Sequence, residues 1–484
     1  MEPIFEYLPH ILAASFVLLE VAAIVATIEA LLTARTPQGA IAWSLFLIMF
    51  PVLGLPVYLI FGGRKFSGYA NARRSGNQPL QQLVQQVSEQ LPAEVLARFE
   101  SGEEAHVVLT ALARMPFFAH NSSRLLIDGE MTFAAILNGI ENAQEYVLVQ
   151  FFIVKDDELG RALQQQLVKK SQQGVRIYFL YDAIGCHSLP AAYLHVLQQA
   201  GVECGAFRGT SRGGGHPFRI NFRNHRKIVV VDGHTAYVGG HNVGDEYVGK
   251  SKNPNLKPWR DTHVEICGPA VLGVQLTFLE DWYWVTHRIP EVNTQPVYAH
   301  AANQRVLVLP TGPADELDTC GLLFTQLIHC AQQRIWIVSP YFVPDTTVVS
   351  ALQLAALRGV DVRIMLPEKP DHRLVYLAKF SYLQETLPFG IKVYSYQAGF
   401  LHQKVVLVDD ELAGVGTANL DNRSFRLNFE ITLLFADKGC VRDMEIMLQE
   451  DFSNCRKMEL REIEQRPLWF KLASKIARLF SPIL

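Results

Sequence analysis

The sequence predicts an α/β fold of two duplicated halves, with mixed sheets flanked by helices and one shared site, preceded by an N-terminal transmembrane helical hairpin. Three observations predict it. Residues 225–242 (HRKIVVVDGHTAYVGGHN) have a second copy at residues 402–419 (HQKVVLVDDELAGVGTAN), the same order of strand and helix patterns precedes both copies, and two long apolar segments lie near the N-terminus. A chain of 484 residues is long enough for two halves that share a large core.

The hairpin is predicted from two apolar segments of 22 residues each, residues 11–32 and residues 40–61. As helices, both are long enough to cross a hydrocarbon core of about 30 Å. The connection at residues 33–39 carries turn formers, and the prolines of the second segment predict a kink rather than an end. Because a charged carboxylate is costly at mid-bilayer, we expect Glu20 to be protonated, to face a partner helix or to lie at a shallower depth.

Basic residues predict the orientation of this hairpin. Four of them follow the second segment: Arg64, Lys65, Arg73 and Arg74. The connection holds only Arg35, so the positive-inside bias places both termini and the bulk of the chain on the cytoplasmic side. A re-entrant hairpin would leave the bulk of the chain on the same side. A cleaved signal peptide is the weaker alternative, since the acidic Glu2 and Glu6 stand where such a peptide has basic residues.

Strand and helix patterns divide the remainder of the chain. In the first half, strand patterns at residues 145–154 and 175–181 flank a helical pattern at residues 159–172. Strand patterns at residues 334–343 and 360–366 flank a second helical pattern in the other half. The predicted boundaries are a transmembrane hairpin at 1–65, a helical connector at 66–120, a first half at 121–295, a second half at 296–465 and an amphipathic C-terminal tail at 466–484.

The repeated stretch has a fixed spacing of polar residues. In each copy, lysine follows histidine by two residues, aspartate by seven and asparagine by seventeen. On a strand, positions i and i+2 point to one face, so each histidine and lysine should stand together at the start of a buried strand. Two halves related by a pseudo-twofold axis would bring both copies to one seam. The predicted site then holds six polar residues: His225, Lys227, Asn242, His402, Lys404 and Asn419.

This set of side chains suits a phosphodiester. One histidine can attack phosphorus while the other protonates the departing alkoxide, and the roles reverse in a second step. Lysines supply positive charge and asparagine amides donate hydrogen bonds, so neither a metal ion nor a cofactor is required. Zinc ligation is the alternative use of the histidines. It is disfavoured because the lysines would repel a cation and the seven cysteines show no zinc-site spacing.

Four acidic residues complete the candidate set. Asp232 and Asp409 belong to the repeated motif and are included among the catalytic candidates, yet their odd offset turns them away from the histidines on an unbroken strand. A structural role is therefore favoured for both. Glu265 and Glu430 occupy positions in the two halves that look equivalent, and we expect them to orient the imidazoles. A surface or ion-pair role is the alternative.

Two further stretches carry positive charge. Residues 208–223 (RGTSRGGGHPFRINFR) form a glycine-rich segment that either meets anionic head groups or is an ordinary basic loop. The tail at 466–484 interleaves basic and apolar residues, a pattern suited to an anionic membrane surface. Packing of the tail against the core of the protein is the alternative. The net charge of −3 gives no basic field over the whole chain that would indicate nucleic-acid binding.

The paired motifs resemble those of the phospholipase D superfamily over residues 121–455. The continuations GGHNVGDEYVG and GTANLDNRSFRLNFE, together with the N-terminal hairpin, are similar to those of bacterial cardiolipin synthases within it. The resemblance implies that His225 or His402 forms a phosphatidyl-histidine, with His225 favoured by analogy, and that the other histidine serves as acid and then base. It also implies that the lysines and asparagines hold the phosphoryl oxygens.

The activity implied by the resemblance is synthesis of cardiolipin from two phosphatidylglycerol molecules, with release of glycerol and no cofactor. The implied location is the bacterial inner membrane, multi-pass, and an oligomer is compatible with the sequence. A hydrolase or a synthase with another alcohol acceptor would use the same site. A nuclease is disfavoured by the charge and the hairpin, and a catalytically inactive membrane scaffold is disfavoured because both motifs are complete.

Overall fold

A computed structural model describes residues 2–33, 36–62, 78–99, 104–208, 222–251, 253, 256–299 and 302–484. The chain divides into two compact units, one containing Met1–Arg74 and Arg208–Phe222 and the other containing Ser75–Phe207 and Arg223–Leu484. The basic residues used above to predict the membrane orientation lie outside the described residues. The predicted basic loop lies outside them too, apart from its ends.

The described residues of the N-terminal segment form three helices: α1 (Glu2–Thr33), α2 (Pro37–Met49) and α3 (Pro51–Phe61). Within α1, His10–Thr33 is long and apolar enough to cross a membrane. The predicted second segment is divided at Phe50, whose φ of −136° and ψ of 61° are not helical. The break has a local cause, because Pro51 lacks an N–H and disfavours the helical conformation of the residue before it. The chain then continues through Pro56 as α3.

The other unit contains the strands and the remaining helices. Strands of the first half are β1 (Phe118–Ile127), β2 (Tyr146–Phe151), β3 (Arg176–Asp182), β4 (Glu203–Phe207), β5 (Arg223–Asn224), β6 (Ile228–Val231), β7 (Thr235–Gly239), β8 (Trp259–Arg260) and β9 (Thr262–Cys267). Strands of the second half are β10 (Gln304–Thr311), β11 (Arg334–Val338), β12 (Phe342–Val343), β13 (Asp361–Pro367), β14 (Lys392–Tyr396), β15 (Phe400–Leu401), β16 (Val405–Val408), β17 (Leu412–Gly416), β18 (Leu420–Asp421), β19 (Asn428–Phe435) and β20 (Cys455–Lys457).

Helices of this unit follow the same duplication. Two precede the first half and four belong to it: α4 (Gln78–Gln90), α5 (Glu104–Ala113), α6 (Asp128–Glu141), α7 (Glu158–Gln172), α8 (Ala191–Gln199) and α9 (Ala270–Thr286). Seven follow in the second half and the tail: α10 (Thr319–Cys330), α11 (Thr346–Leu357), α12 (Arg373–Thr386), α13 (Asn422–Arg426), α14 (Lys438–Ser453), α15 (Leu460–Glu464) and α16 (Leu468–Leu479).

Sixteen strands of the described chain form one mixed sheet that runs through both halves. Its order is β4-β3-β2-β6-β7-β9-β1 in the first half and β10-β19-β17-β16-β11-β13-β14-β20 in the second, with β5 joined to β19. Each half pairs three parallel strands with an antiparallel hairpin, and β1 meets β10 antiparallel at the centre. The two halves thus repeat one strand order about the centre of the sheet, which confirms the predicted duplicated α/β fold.

The predicted connector contributes to a core rather than only linking domains. Leu109 of α5 is fully buried in the apolar cluster of the second half, where Leu327 and Phe117 also lie. Strand β1 begins at Phe118, three residues before the predicted start of the first half. Burial of such side chains stabilises a fold by about 1.5–3 kcal/mol each, so α5 helps to hold the second half together.

Asp232 and Asp409 close equivalent turns at the ends of β6 and β16. Both have a positive φ, 52° and 50°, which aspartate adopts more readily than most side chains. The carboxylate of Asp232 accepts the backbone N–H groups of residues 144, 145 and 146 at 2.7, 2.8 and 2.8 Å. Asp409 accepts those of residues 332, 333 and 334 at 2.9, 2.8 and 2.8 Å. Both carboxylates thus anchor the hairpin to the start of β2 and β11, which is the structural role favoured above, and a catalytic role for them stays a prediction.

Replacement of Asp232 by alanine should destabilise the protein without rearranging the histidines. The change removes three charge-assisted hydrogen bonds and favours a backbone conformation that the native turn does not have, so we expect a loss of roughly 2–5 kcal/mol. The midpoint of thermal unfolding in detergent measures it. Asp443→Ala, on the exposed face of α14, is the matched control and should melt like the wild type. An unchanged midpoint for Asp232→Ala would contradict the anchoring role.

Candidate active site

Each repeated histidine lies on a segment that pairs with the opposite half. Strand β5, directly before His225, runs parallel to β19, and the His225 N–H donates to the Phe429 carbonyl at 2.9 Å. Strand β15, directly before His402, runs parallel to β8, and the His402 N–H donates to the Arg260 carbonyl at 2.8 Å. The two halves therefore hold each other's histidines by the same backbone arrangement.

Both imidazoles form buried pairs with a carboxylate from the opposite half. The Nδ1 atom of His225 lies 3.0 and 2.9 Å from the two carboxylate oxygens of Glu430. The Nδ1 atom of His402 lies 2.6 Å from Oδ2 of Asp261. At His225 the carboxylate favours a proton on Nδ1 and leaves Nε2 as the nitrogen with a free lone pair. The Nδ1 atom of His402 also lies 2.9 Å from Lys404 Nζ. The site thus contains two histidine–acid pairs, and both are formed across the boundary between the halves.

The position of the second acid corrects one prediction. Glu430 lies where we expected an orienting acid, but Glu265 does not: its carboxylate pairs with Arg124 at 2.8 Å on the partly exposed side of β9. Asp261 takes the orienting position instead. Sequence comparison aligned the two glutamates, although they are not at equivalent places in the fold.

Strand register shows the true equivalence. Gly239 of β7 lies opposite His263, and Gly416 of β17 lies opposite Thr432. Counting back two residues along each strand pairs Asp261 with Glu430, on the same face as His263 and Thr432 respectively. The sequence signal that could have identified Asp261 is its place at the start of β9, directly after the segment that receives the other histidine.

The two acids differ in length, and their surroundings differ to match. Glu430 accepts hydrogen bonds from Thr417 Oγ1 at 2.6 Å, Ser424 Oγ at 2.8 Å and Asn428 Nδ2 at 3.1 Å. In the first half, Gly240 replaces the threonine, and a Cβ atom there would lie 2.0 Å from Oδ1 of Asp261. The difference between GGHN and GTAN is therefore a fit between each loop and its acid.

Burial and charge set the protonation of the site. Burial, reinforced by Lys227, lowers the pKa of His225 to about 4 although Glu430 opposes the effect. Burial, Lys404 and Lys227 hold the pKa of His402 well below its usual value. Burial favours a raised pKa for Glu430, but His225 and Lys227 outweigh it and lower that pKa. These shifts leave both imidazoles neutral near neutral pH, with an ionised carboxylate at Glu430.

The two lysines are buried cations with weakened solvation. Burial lowers the pKa of Lys227 to about 7 and that of Lys404 to about 8, with Glu430 and Asp261 respectively opposing the shift. Lys227 Nζ donates to the His225 carbonyl at 2.7 Å, and Lys404 Nζ donates to the His402 carbonyl. An entering phosphate anion would stabilise both charges, so the pair forms an anion-binding position.

The two motif asparagines are placed differently. The Asn242 side chain accepts the Ile153 N–H at 3.1 Å and donates to the Tyr247 hydroxyl at 2.8 Å. Asn419 is buried, its N–H donates to Ser424 Oγ at 3.0 Å, and its Oδ1 has no hydrogen-bond partner among the described residues. Asn242 thus fixes the surrounding loop, while the Asn419 amide retains capacity for a ligand. A phosphate-binding role stays a prediction for both.

Aromatic rings line the two histidines unequally. The Phe152 ring lies 4.9 Å from the His225 ring and 5.6 Å from Lys227 Nζ. Trp259 and Tyr247 lie 5.2 and 5.8 Å from the His402 ring. Such rings exclude water from the histidines and contribute to their low pKa values. Sequence analysis missed these aromatic residues because nothing in the repeated motif marks them.

Metal-ion ligation is not a use to which these side chains are arranged. Across the described ranges, no group of three or more histidine, cysteine, aspartate or glutamate side chains has a geometry that could hold a metal ion. The chemistry available from the residues themselves is nucleophilic attack by one imidazole, proton transfer by the other, and stabilisation of a phosphate anion by two lysines.

Comparison with known proteins shows the family of the chain. Residues 136–257 and 324–452 match the family model described as "Cardiolipin synthase, PLD-like domain", and residues 21–63 match "Phospholipase_D-nuclease N-terminal". The chain is 50% identical to cardiolipin synthase A of Pseudomonas putida over 96% of this chain and 97% of that protein. It is 48% identical to cardiolipin synthase A of Pseudomonas fluorescens over 98% and 99% of the two chains.

Among solved structures, phosphatidylserine synthase from Haemophilus influenzae is similar in fold. It superposes with a TM-score of 0.60 at 18% sequence identity, covering 80% of this chain and all of the other. At that identity, the likeness concerns the fold.

The His225 imidazole should remain neutral at pH values well below the usual pKa of histidine. An unfolded histidine binds its proton near pH 6.5, whereas folded His225 should do so only near pH 4, so stability falls as the pH drops between these values. Nitrogen-15 NMR of histidine-labelled protein, assigned with His225→Gln, should show neutral, Nδ1-protonated His225 at pH 5.5. An imidazolium signal at that pH would contradict the arrangement.

Proposed function

The chain belongs to the bacterial cardiolipin synthase family of the phospholipase D superfamily and is a phosphatidyltransferase that makes cardiolipin; we propose that two phosphatidylglycerol molecules are its donor and acceptor. One observation carries the proposed chemistry: two histidine–acid pairs and two lysines are assembled from both halves in a single buried site. A double displacement on phosphorus needs this complement of one nucleophile, one proton carrier and fixed positive charge.

In the first step, His225 Nε2 attacks the phosphorus of one phosphatidylglycerol. The new P–N bond forms as the P–O bond to glycerol breaks, and His402 gives its Nε2 proton to the departing alkoxide. Glu430 supports this role for His225, because it holds the Nδ1 proton and stabilises the positive charge that develops on the ring. The close contact of Asp261 with His402 favours protonation of that histidine once an anionic phosphodiester enters between the lysines.

In the second step, the now neutral His402 removes a proton from a glycerol hydroxyl of the second phosphatidylglycerol. The alkoxide oxygen attacks phosphorus, the P–N bond breaks, and His225 returns to its starting state while His402 is again protonated. One phosphodiester replaces another, so the reaction is near energy balance and needs no nucleotide. Lys227 and Lys404 stabilise the charge on the phosphoryl oxygens in both steps.

Membrane anchoring favours the lipid acceptor over water. The chain is a membrane protein, and we place it in the bacterial inner membrane as a multi-pass protein with its site on the cytoplasmic side, on the basis of the apolar N-terminal helices and the basic residues that follow them. A membrane-held enzyme meets its second substrate at high local concentration, which is a proximity effect. Hydrolysis would need only water at the second step.

Radiolabelled phosphatidylglycerol in vesicles separates synthesis from hydrolysis. We expect labelled cardiolipin as the main product and free glycerol in equal amount. Phosphatidic acid as the sole product would contradict transfer to a lipid acceptor, and a product containing another added alcohol would contradict phosphatidylglycerol as the acceptor.

Removal of either histidine should abolish turnover, with different consequences for the intermediate. His225→Ala should lose at least about 10³-fold in rate and form no lipid–enzyme adduct, since the nucleophile is gone. His402→Ala should also be inactive but should retain His225 as the site of any labelled adduct that is trapped at acid pH. Mass spectrometry of the labelled peptide decides: an adduct mapped to His402 would reverse the two assigned roles.

Substitution of the two orienting acids, Asp261 and Glu430, gives a sharper test, because Glu265 provides a matched control. Asp261→Asn and Glu430→Gln should each lower kcat by about 10²–10⁴-fold with little change in KM, since they act through the histidines rather than on the lipid. Glu265→Gln should retain nearly the wild-type rate because Glu265 pairs with Arg124. A loss of activity in Glu265→Gln equal to that in Asp261→Asn would contradict the structural assignment.

A further inference from the structure

The last helix, α16, packs against the second half through one narrow face. Phe470, Ser474 and Ala477 are buried, and the Phe470 ring lies 5.0 Å from the ring of Phe380 in α12. Beyond the helix, Ser481 Oγ accepts a hydrogen bond from the Tyr382 hydroxyl at 2.8 Å. One side of the helix therefore packs on the protein, which was the predicted alternative for the tail.

The opposite side of α16 is apolar and exposed to solvent. Leu468, Trp469 and Leu479 have 81, 68 and 77% of their surface accessible, and three further exposed apolar residues lie in or directly after the helix: Leu472, Ile476 and Phe480. Contiguous exposed apolar side chains of this size mark interaction surfaces in folded proteins. We call the five residues Leu468, Trp469, Leu472, Ile476 and Leu479 the outer face of α16.

Charge identifies the kind of partner. Helix α16 carries Lys471, Lys475 and Arg478 and has no acidic residue. Arg478 is paired with Glu385, while Lys475 is exposed beside the outer face. Two copies of this helix packed face to face would bring like charges together. An anionic phospholipid surface, by contrast, accepts the apolar side chains among its acyl chains and the lysines at its head groups.

The end of the chain also contacts the wall of the active site. The backbone N–H of Arg423 donates to the Leu484 carbonyl at 2.8 Å, and its guanidinium donates to the Ile483 carbonyl at 3.1 Å. Arg423 lies in α13, where the next residue, Ser424, donates to Glu430. A surface that binds α16 would therefore also keep α13, which lies beside the His225–Glu430 pair, at a fixed distance from that surface.

We propose that the outer face of α16 is a membrane-contact surface that lies in the head-group region of a bilayer containing anionic phospholipid. It deepens the proposed function, on which it rests, by giving the site a fixed position at the lipid surface. Lipid substrates then reach the lysines without leaving the bilayer, and the full interaction needs both apolar insertion and negative surface charge.

Quenching of tryptophan fluorescence by brominated lipid tests the contact directly. The full chain is reconstituted in vesicles of phosphatidylcholine with about a third phosphatidylglycerol, with bromine either near the head-group end or deep in the acyl chains. The difference between wild type and Trp469→Phe isolates Trp469, and we expect this difference signal to be quenched most by the shallow bromines. Trp284→Phe, which removes a buried ring of α9, should leave the quenchable signal unchanged.

An unquenched Trp469 difference signal would overturn the proposal. If, in addition, a cysteine placed at Leu472 formed a cross-link to a second copy in detergent, the outer face would instead be a contact between copies of the chain. Quenching that persists in vesicles of phosphatidylcholine alone would overturn the requirement for anionic lipid.

Activity provides a second readout with a matched control. Leu472→Glu combined with Leu479→Glu should lower cardiolipin formation in vesicles at least fivefold, but should leave turnover of short-chain phosphatidylglycerol dissolved as monomers unchanged. Leu357→Glu, on the exposed surface of α11, should alter neither rate. Equal loss on both substrates would overturn the docking role. If the wild type made no cardiolipin while Trp469 was still quenched, the proposed function would fail and the docking surface would stand.

Discussion

Everything in this active site depends on the exchange of two short strands between the halves. Parallel pairing of β5 with β19, and of β15 with β8, carries each histidine to the acid of the opposite half. Backbone hydrogen bonds fix these positions before any side chain is considered, because His225 and His402 both donate through their N–H groups to the residue directly before the acid. Both of these histidine–acid pairs combine residues from the two halves, so the proposed chemistry needs both halves of the chain.

A second constraint is the burial of six ionisable side chains: two histidines, two lysines and two acids. Burial destabilises the lysines as cations and keeps the imidazoles neutral. An anionic phosphodiester relieves the repulsion between the lysines and favours a proton on one histidine. In the proposed mechanism, binding of the substrate and protonation of His402 are therefore coupled through the charge of the phosphodiester. The surrounding aromatic rings strengthen it by keeping water away.

Much of this structure follows from the sequence, because a duplicated motif constrains both its fold and its neighbours. The two halves, the buried strands after each histidine and the orienting position of Glu430 all follow from period-two patterns and from the repeat. The acid of the other half does not, since Asp261 and Glu265 lie on one strand and only the hydrogen-bond register separates them. The break at Phe50 was equally hard to predict, because proline kinks some apolar helices and ends others.

The difference between the GGHN and GTAN loops limits which substitutions the two acids can accept. A bare glycine, Gly240, goes with the shorter acid, and Thr417 goes with the longer one. An exchange of the acids alone would crowd Gly240 against a longer side chain and leave the Thr417 hydroxyl without its acceptor. Each loop therefore fits only the acid that it now contacts. The two halves are therefore complementary rather than interchangeable: their strands repeat one order, but the loop beside each acid is built for that acid alone.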